Sequence, residues 1–338
     1  MPAVYVREQG AVVRKRGERL VVTKEDAELM EVPLVHVDQV VLMGNVQLTT
    51  QAVALLLQHE VDVVFFSQRG KFRGRLVQTG SKFARLRHAQ LQVMSDEAGS
   101  LRIAREVVVG KLTNQRVLLQ RQAARLASSP DRVRLEEAIR GIRAMLRAAR
   151  GAPSLDSLRG YEGKGGAYYF GALRALIPSA FGFRGRAYHP PPDPANALLS
   201  FGYTLLLKDI VGAVQLVGLD PYLGFFHAID YGRPSLALDV MEEFRPIIVD
   251  GMVLELIHTH VVTPQDFVWT QKAQRPVHMT DGAVEVLLER YEQRALTQVT
   301  HPVRRQQTTY RRCFEWQVRQ VAGIVLGKRQ QYQPVTIR

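Results

Sequence analysis

The chain has 338 residues, and its share of hydrophobic (46%) and charged (23%) residues is that of an ordinary globular protein long enough for two domains. Lys and Arg number 45 against 32 Asp and Glu, and the resulting formal net charge of +13 favours a polyanionic partner, either nucleic acid or an anionic membrane surface. The single Cys313 excludes an internal disulfide, and because neither a signal peptide nor an apolar run of about 20 residues is recognisable, we expect a cytoplasmic nucleic-acid protein without a membrane segment.

Short β-branched or aromatic runs, divided by turn residues, predict strands throughout residues 1–80. These runs are Val4–Val6, Ala11–Val13, Arg19–Thr23, Val40–Leu42 and Val61–Phe66. One helix is predicted among them at residues 51–59, with Thr49 or Thr50 as its cap. Residues 70–74 are predicted to form a basic turn.

The hydrophobic period becomes helical from about residue 81. The predicted fold class is therefore α+β, with a small N-terminal β-rich, β-sandwich-like domain followed by a larger all-α domain. We place the β-rich domain at 1–80, a linker or first helix at 81–98, the helical domain at 99–326 and a flexible tail at 327–338.

Two helices are predicted early in the helical domain, at Arg102–Ala127 and from Asp131, as N-cap, to about Ala149. The second helix carries a basic stripe opposite its apolar face, formed by Arg140, Arg143, Arg147 and Arg150. Such a stripe can track a phosphate backbone. The commoner alternative is the solvated face of an amphipathic helix.

A glycine-rich run surrounds the isolated Glu162, in the sequence LRGYEGKGGAYYF. One interpretation is a phosphate-cradling loop, although the Walker spacing is absent. The other is that small residues let this segment pack very close to a neighbouring helix. Further along, Asp193-Pro194 is a typical helix start for a long apolar helix to about Val217.

Arginine residues are interleaved with aromatic residues in a last predicted helix, Arg304 to about Leu326. This composition suits contacts with phosphates and stacked bases. The alternative is an exposed basic face with its aromatic side chains packed inward.

The stretch from Gly224 to Asp250 combines one histidine with several carboxylates. His227 precedes a turn, and Pro234 suits the first position of the helix that follows. On that helix Asp239, Glu242 and Glu243 can share one side, where they would repel one another unless a divalent cation bound them. The alternative is a surface ion pair between Glu242 and Arg245.

A histidine together with carboxylates is a mixed nitrogen and oxygen ligand set that suits Mn²⁺ or Mg²⁺. A structural zinc site is not expected, because thiol ligands are lacking. A hard cation on a basic protein indicates phosphodiester chemistry. Spacing alone does not connect Glu162 with His227 and Glu242.

Three segments of the chain closely resemble the CRISPR-associated protein one family of spacer-acquisition integrases and endonucleases: LRGYEGKGGAYYF, PPPDPANALLSFGYTLL and GFFHAIDYGRPSLALDVMEEFRPIIVD. The resemblance extends from the β-rich region to the last predicted helix. By position, it implies that Glu162, His227 and Glu242 are the metal ligands and catalytic residues. It also implies a further acidic position at Asp239, beside a bound Mg²⁺ or Mn²⁺.

The resemblance further implies a homodimer formed through the β-rich domain, with two such dimers flanking a dimer of a small ferredoxin-like companion protein. The complex would insert protospacer DNA, a double-stranded fragment, at the CRISPR repeat, each 3′-OH attacking a phosphodiester. Candidate DNA contacts are positively charged residues near these motifs and on the basic stripe: Lys164, Arg184, Arg186, Arg245, Arg140, Arg143 and Arg147.

Three other functions remain open at this point. The first is a general metal-dependent nuclease that cleaves branched or single-stranded nucleic acid without joining ends. The second is a non-catalytic nucleic-acid scaffold, and the third is a metal hydrolase for a small molecule. The net charge of +13 and the lack of a nucleotide or cofactor fingerprint disfavour the small-molecule hydrolase.

Overall fold

The chain forms two compact units, Met1–Lys82 and Phe83–Arg338, which are described separately. The structure, a computed structural model, describes residues 3–25, 27–68, 70, 72–76, 83–187, 190–271 and 276–337. Strands dominate the first unit and helices the second, so the protein has a mixed α and β fold with its strands mainly in the N-terminal part.

The described residues of the N-terminal unit form two four-stranded sheets, one α-helix and a 3-10 helical turn at Leu34–His36. Its elements are β1 (Ala3–Val6), β2 (Val12–Arg16), β3 (Arg19–Lys24), β4 (Ala27–Pro33), β5 (Gln39–Met43), β6 (Gln47–Leu48), α1 (Thr50–Gln58), β7 (Asp62–Phe66) and β8 (Phe72–Leu76). One sheet has the order β1-β5-β7-β8, in which the first three strands are parallel and β8 is antiparallel to β7. The other has the order β4-β3-β2-β6.

Apolar side chains from both sheets and from α1 form one buried cluster, which includes Val13, Val40, Leu55 and Val63. The Thr49 side chain caps α1 by accepting a hydrogen bond from the Ala52 N–H, so the helix predicted here is confirmed. The predicted basic turn at 70–74 was wrong.

Phe72–Leu76 is instead a strand, because it pairs with β7 and its Arg75 forms an ion pair with Asp62 of that strand. The turn was predicted from Gly70 and Gly74 alone, and the local sequence does not show that Arg75 pairs with Asp62 of the neighbouring strand. Lys71, the first basic residue of the predicted turn, lies outside the described residues.

The second unit is mainly helical. Its elements are α2 (Ala84–Ser95), α3 (Glu97–Ala123), α4 (Pro130–Arg150), α5 (Leu155–Leu176), α6 (Pro194–Val217), α7 (Ser235–Met241), a π-helical turn (Arg245–Asp250), α8 (Gly251–His258), β9 (Phe267–Trp269), β10 (Val277–Met279), α9 (Asp281–Ala295), β11 (Gln298–Thr300), β12 (Gln307–Thr309) and α10 (Tyr310–Val325).

Two short antiparallel strand pairs, β9 with β10 and β11 with β12, correct the prediction that this unit is entirely α-helical. Each strand has only three residues, which is too short for a periodic sequence pattern. Because of the second pair, the last helix begins later than predicted. Arg304 and Arg305 lie between β11 and β12, and α10 begins at Tyr310 with Thr309 as its cap.

Helix α6 is the most apolar long helix of the unit and packs against α7, α8, α9 and α10. It begins as predicted, with the Asp193 side chain accepting a hydrogen bond from the Asn196 N–H. Among the described residues it is the one helix long and apolar enough to cross a membrane, with a mean hydropathy of 1.5, which corrects the expectation that no such run exists. Its most apolar window is 67% buried inside the protein, as in the core helix of a packed domain.

Helices α3, α4 and α5 pack closely together, because glycines lie at their contacts. A Cβ added to Gly165 of α5 would lie 2.4 Å from Cδ2 of Leu112 on α3. The glycine-rich run around Glu162 is therefore a helix in close contact with its neighbour, and the phosphate-loop interpretation was wrong.

The start of α4 also differs from the prediction, because the cap is Ser129, two residues before Asp131.

The end of the chain is packed against the helical unit rather than flexible, which corrects the prediction for residues 331–337, called here the C-terminal strap. Tyr332 and Val335 are buried. Asn114 of α3 donates a hydrogen bond to the Val335 carbonyl and accepts one from the Ile337 N–H. Glu243 accepts hydrogen bonds from the Tyr332 hydroxyl and the Val335 N–H.

The buried Glu243 should make stability depend on pH. Burial raises its pKa to about 8, although hydrogen bonds from Gln317, Tyr332 and Val335 oppose the shift. The folded protein therefore retains a proton that the unfolded chain releases near pH 4, so we expect the free energy of unfolding to decrease as the pH rises from about 5 to about 8.

Urea unfolding at several pH values in this range tests the prediction. Glu243→Gln cannot ionise and should lose this part of the pH dependence, whereas Glu255→Gln, at an exposed position of α8, should keep it. An identical pH slope in wild type and Glu243→Gln would contradict the assignment.

Candidate active site in the helical unit

Four elements of the helical unit bring the predicted ligands around one point. Glu162 lies on α5, His227 lies in the loop after α6, and Glu242 directly follows α7. The His227 Nε2 atom is 3.7 Å from Oε1 of Glu242. Lys111 of α3 connects the two glutamates, with its Nζ atom 2.5 Å from Oε1 of Glu162 and 2.6 Å from Oε2 of Glu242. The fold thus gathers three groups that sequence spacing could not connect.

Asp239 holds the His227 loop in place. Its carboxylate accepts hydrogen bonds from the backbone N–H groups of Phe225 (2.6 Å), Phe226 (3.0 Å) and His227 (2.9 Å). It also lies 2.7 Å from Nδ1 of the His227 ring. Because a carboxylate accepts hydrogen bonds and cannot donate them, this contact places a ring proton on Nδ1, and Nε2 is the atom that faces Glu242.

The loop before His227 approaches α7 so closely that only glycine fits at position 224. A Cβ there would lie 2.7 Å from the Ser235 carbonyl carbon and 2.9 Å from Oδ2 of Asp239. Ser235 closes the other side of the loop, since its hydroxyl donates a hydrogen bond to the Ala228 carbonyl. The position of the histidine is therefore fixed by backbone contacts on both sides.

The expectation that Asp239, Glu242 and Glu243 share one side was only partly right. Asp239 and Glu242 face the site, but Glu243 points away, toward the C-terminal strap. The reason is that successive side chains on an α-helix point about 100° apart, and Glu242 still has α-helical backbone angles (φ −57°, ψ −43°). The neighbouring side chains of Glu242 and Glu243 therefore face different surroundings.

Lys111 is the residue of this candidate site that the sequence analysis missed. It is a buried lysine, and although burial opposes its charge, the carboxylates of Glu242 and Glu162 raise its pKa. Its signal in the sequence is a single charge at the end of an apolar run on α3, Val107-Val-Val-Gly-Lys111. A lysine in such a run is rarely buried unless it has a partner, and its partner lies 51 residues away.

Glu242 is ionised in this environment. Burial raises its pKa, but Arg245, Lys111 and His227 together lower it to about 2. The Arg245 Nε atom is 3.2 Å from Oε1 of Glu242, and its guanidinium lies over the Tyr203 ring at 4.6 Å. The ion pair with Arg245 exists as the alternative interpretation held, but it is buried rather than at the surface, with 5% of the Glu242 side chain exposed.

The donor set fits a hard divalent cation, since two carboxylates and an imidazole Nε2 converge there. Within the described ranges, however, no group of three or more His, Cys, Asp or Glu side chains is already assembled to hold a metal. The Lys111 ammonium lies between the two glutamates instead. The space between the Glu162 and Glu242 carboxylates therefore favours a positive charge, and in this structure Lys111 supplies that charge.

The predicted DNA contacts fall into two groups. The stripe on α4 is exposed, as are Lys164 on α5 and Arg184. Arg186 is committed to internal partners, because it donates hydrogen bonds to the Asn196 side chain and to the Ser200 hydroxyl. Arg245 faces Glu242 and Tyr203 inside the site.

Comparison with known proteins agrees with this architecture. The family model described as CRISPR associated protein Cas1 matches residues 4–293. A protein from Moorella thermoacetica, named CRISPR-associated endonuclease Cas1 1, is 34% identical over 99% of this chain and 98% of its own length.

Two solved structures share the fold. A casposase bound to its integration product covers 98% of this chain and 93% of its own, with a TM-score of 0.84 and 21% identity. A chain of a Cas6-RT-Cas1–Cas2 complex covers 98% of this chain with a TM-score of 0.82 and 22% identity, and this chain spans 36% of that longer one. The match of the family model over most of the chain, together with the sequence identity to the Moorella protein, shows that this protein belongs to the CRISPR-associated protein Cas1 family.

Proposed function

We propose that this protein is a metal-dependent DNA integrase and endonuclease of CRISPR adaptation, which joins the 3′-OH ends of a protospacer duplex to phosphodiesters of the CRISPR repeat. The observation that carries the proposal is that Lys111 contacts both Glu162 and Glu242, with Nε2 of His227 3.7 Å from Glu242, in a protein with a net charge of +13. The names of its relatives support it, since one is a Cas1 endonuclease and another is a casposase bound to an integration product.

Glu162, Glu242 and the Nε2 atom of His227 would hold Mg²⁺ or Mn²⁺. When bound, such a cation supplies Lewis-acid polarisation of the phosphoryl oxygen that is attacked. The chain's own residues prepare the ligands. Asp239 keeps the proton on Nδ1 of His227, and Arg245 holds Glu242 ionised and oriented.

The exposed arginines of α4, together with Lys164 and Arg184, would bind the phosphates of double-stranded DNA. The β-rich unit, as a β-sandwich-like domain, would form the homodimer. A small ferredoxin-like companion protein would complete the assembly. A structural neighbour that belongs to a Cas6-RT-Cas1–Cas2 complex supports a companion of this kind. The complex would act in the prokaryotic cytoplasm.

The same site can also hydrolyse DNA when water is the nucleophile, so a general nuclease is the competing function. A strand-transfer assay with labelled duplex ends and a repeat-bearing plasmid separates the two. Joined products support the integrase, whereas cleavage without joining would show that the protein is only a nuclease.

Loss of a ligand should remove both activities. For Glu242→Gln and His227→Ala we expect strand transfer and nuclease rates in Mn²⁺ to fall by about 10²–10³-fold, because the charge stabilisation at the reacting phosphate is lost. The matched control is Glu255→Gln, an exposed glutamate on α8, which should keep wild-type rates. Wild-type strand transfer by folded Glu242→Gln would contradict the assignment.

Asp239 acts through His227, so its removal should have a smaller effect. In Asp239→Asn the amide cannot accept all four hydrogen bonds, and we expect Mn²⁺ affinity and strand-transfer rate to fall by about 10–100-fold. Isothermal titration with Mn²⁺ measures the affinity. Asp230→Asn changes an exposed aspartate in the same loop and should leave both values unchanged, whereas unchanged Mn²⁺ affinity in Asp239→Asn would contradict the positioning role.

The basic stripe should contribute sequence-independent affinity. Replacing Arg140, Arg143 and Arg147 by Gln should weaken duplex DNA binding and lower the slope of log K against log salt by about one for each phosphate that the variant no longer binds. Fluorescence anisotropy at several salt concentrations measures both. Arg132→Gln with Arg134→Gln is the control, because those arginines are exposed on α4 but paired with Glu136 and Asp131. Equal effects of the two sets would show that the stripe is only a solvated face.

A further inference from the structure

Lys111 occupies the place between the two carboxylates that would bind the divalent cation. Its Nζ atom contacts Oε1 of Glu162 at 2.5 Å and Oε2 of Glu242 at 2.6 Å. A Mg²⁺ or Mn²⁺ ion takes such oxygens at about 2.0–2.2 Å. A metal held by the same two oxygens would therefore overlap the ammonium.

Charge leads to the same conclusion. The guanidinium of Arg245 already faces Glu242, so a divalent cation added beside a retained Lys111 would bring three positively charged groups into one buried site. Repulsion between like charges is strong in such a site because little water screens it. Either the metal or the ammonium can occupy the position, and the other must leave.

The surroundings of Lys111 permit such a movement. Of the Glu162 side chain, 22% is exposed, so the pair lies near solvent. The flexible four-carbon stem of lysine can carry its charge from a buried to a solvated position.

A second lysine, Lys208, is also buried among the described residues of the helical unit, and its surroundings differ from those of Lys111. Lys208 is 0% exposed and forms an ion pair with Asp209 at 2.7 Å. Asp209 is fixed in turn by Tyr291 and Arg311. That pair connects α6, α9 and α10, and its aspartate is shared with a second cation. It is a permanent part of the core.

We propose that Lys111 is the internal counter-cation of this site: its ammonium holds Glu162 and Glu242 together in the metal-free protein and leaves them when a divalent cation binds. The inference rests on the proposed function, because it takes these carboxylates to be metal ligands. The inference adds to the proposed function a residue, Lys111, that competes with the metal and that stabilises the site when no metal is bound.

Mn²⁺ titration calorimetry on the full chain tests the competition. We expect Lys111→Met to bind Mn²⁺ with a Kd about tenfold lower than wild type, because no ammonium has to be displaced. Without metal, Lys111→Met should unfold at a lower temperature than wild type. Saturating Mn²⁺ should raise the unfolding temperature of Lys111→Met by more degrees than it raises that of wild type. Glu242→Gln serves as the control that removes the metal site itself.

A second measurement on the wild type does not depend on the folding of a variant. Labelling with an amine-reactive acetylating reagent, read by mass spectrometry, should modify Lys111 severalfold faster with Mn²⁺ than without it. Lys208, buried in its permanent ion pair, should remain unlabelled in both conditions.

Tighter Mn²⁺ binding by Lys111→Met together with faster labelling of Lys111 supports the proposal. If wild type binds Mn²⁺ and Glu242→Gln does not, but Lys111→Met binds no more tightly and Lys111 stays protected, Lys111 is a fixed partner and the inference is overturned. The proposed function survives that result. Absence of saturable Mn²⁺ binding to both wild type and Lys111→Met would overturn the proposed metal dependence as well.

Discussion

The helical unit is built around carboxylates that are withdrawn from water and must be compensated. Glu242 has 5% of its side chain exposed, and Asp239 has 2%. Burial of an ionised carboxylate is costly unless charges or hydrogen bonds offset it. The cost of burying the Asp239 carboxylate is offset by hydrogen bonds from three backbone N–H groups and from the His227 imidazole. The cost of burying the Glu242 carboxylate is offset by the positive charges of Lys111 and Arg245. A divalent cation at the same place would replace the compensating charge of Lys111.

The scaffold supplies these compensating groups from separate elements. Helix α3 carries Lys111 on one turn and Asn114 on the next, and Asn114 binds the C-terminal strap. Glu242 and Glu243 are consecutive, yet one faces the site and the other faces the strap. The strap therefore fixes the backbone on both sides of the site, at α3 and after α7. Packing of the chain end and positioning of the ligands are thus parts of one arrangement.

The elements defined by local chemistry could be predicted from the sequence. Asp193 and Pro194 fixed the start of α6, and the glycines around Glu162 indicated close helix packing. What could not be predicted depends on distant partners. Lys111 meets Glu162 across 51 positions, and Glu243 meets Val335 across 92.

The connection of Glu162 with His227 and Glu242 came from the family resemblance, because no spacing rule connects residues on different helices. The π-helical turn at Arg245–Asp250 was also not predicted from the sequence. The tail was predicted to be flexible because it is a chain end, and its residues 331–337 are instead held by Asn114 and Glu243.

The central claim is that Glu162, His227 and Glu242 hold one hard cation. Anomalous scattering from crystals soaked in Mn²⁺ tests it most directly. The account predicts a single strong peak about 2.0–2.3 Å from an oxygen of each glutamate and from Nε2 of His227, with the Lys111 ammonium moved away from both carboxylates. A peak elsewhere in the chain, or a Mn²⁺ ion bound while Lys111 still bridges the two glutamates, would contradict it.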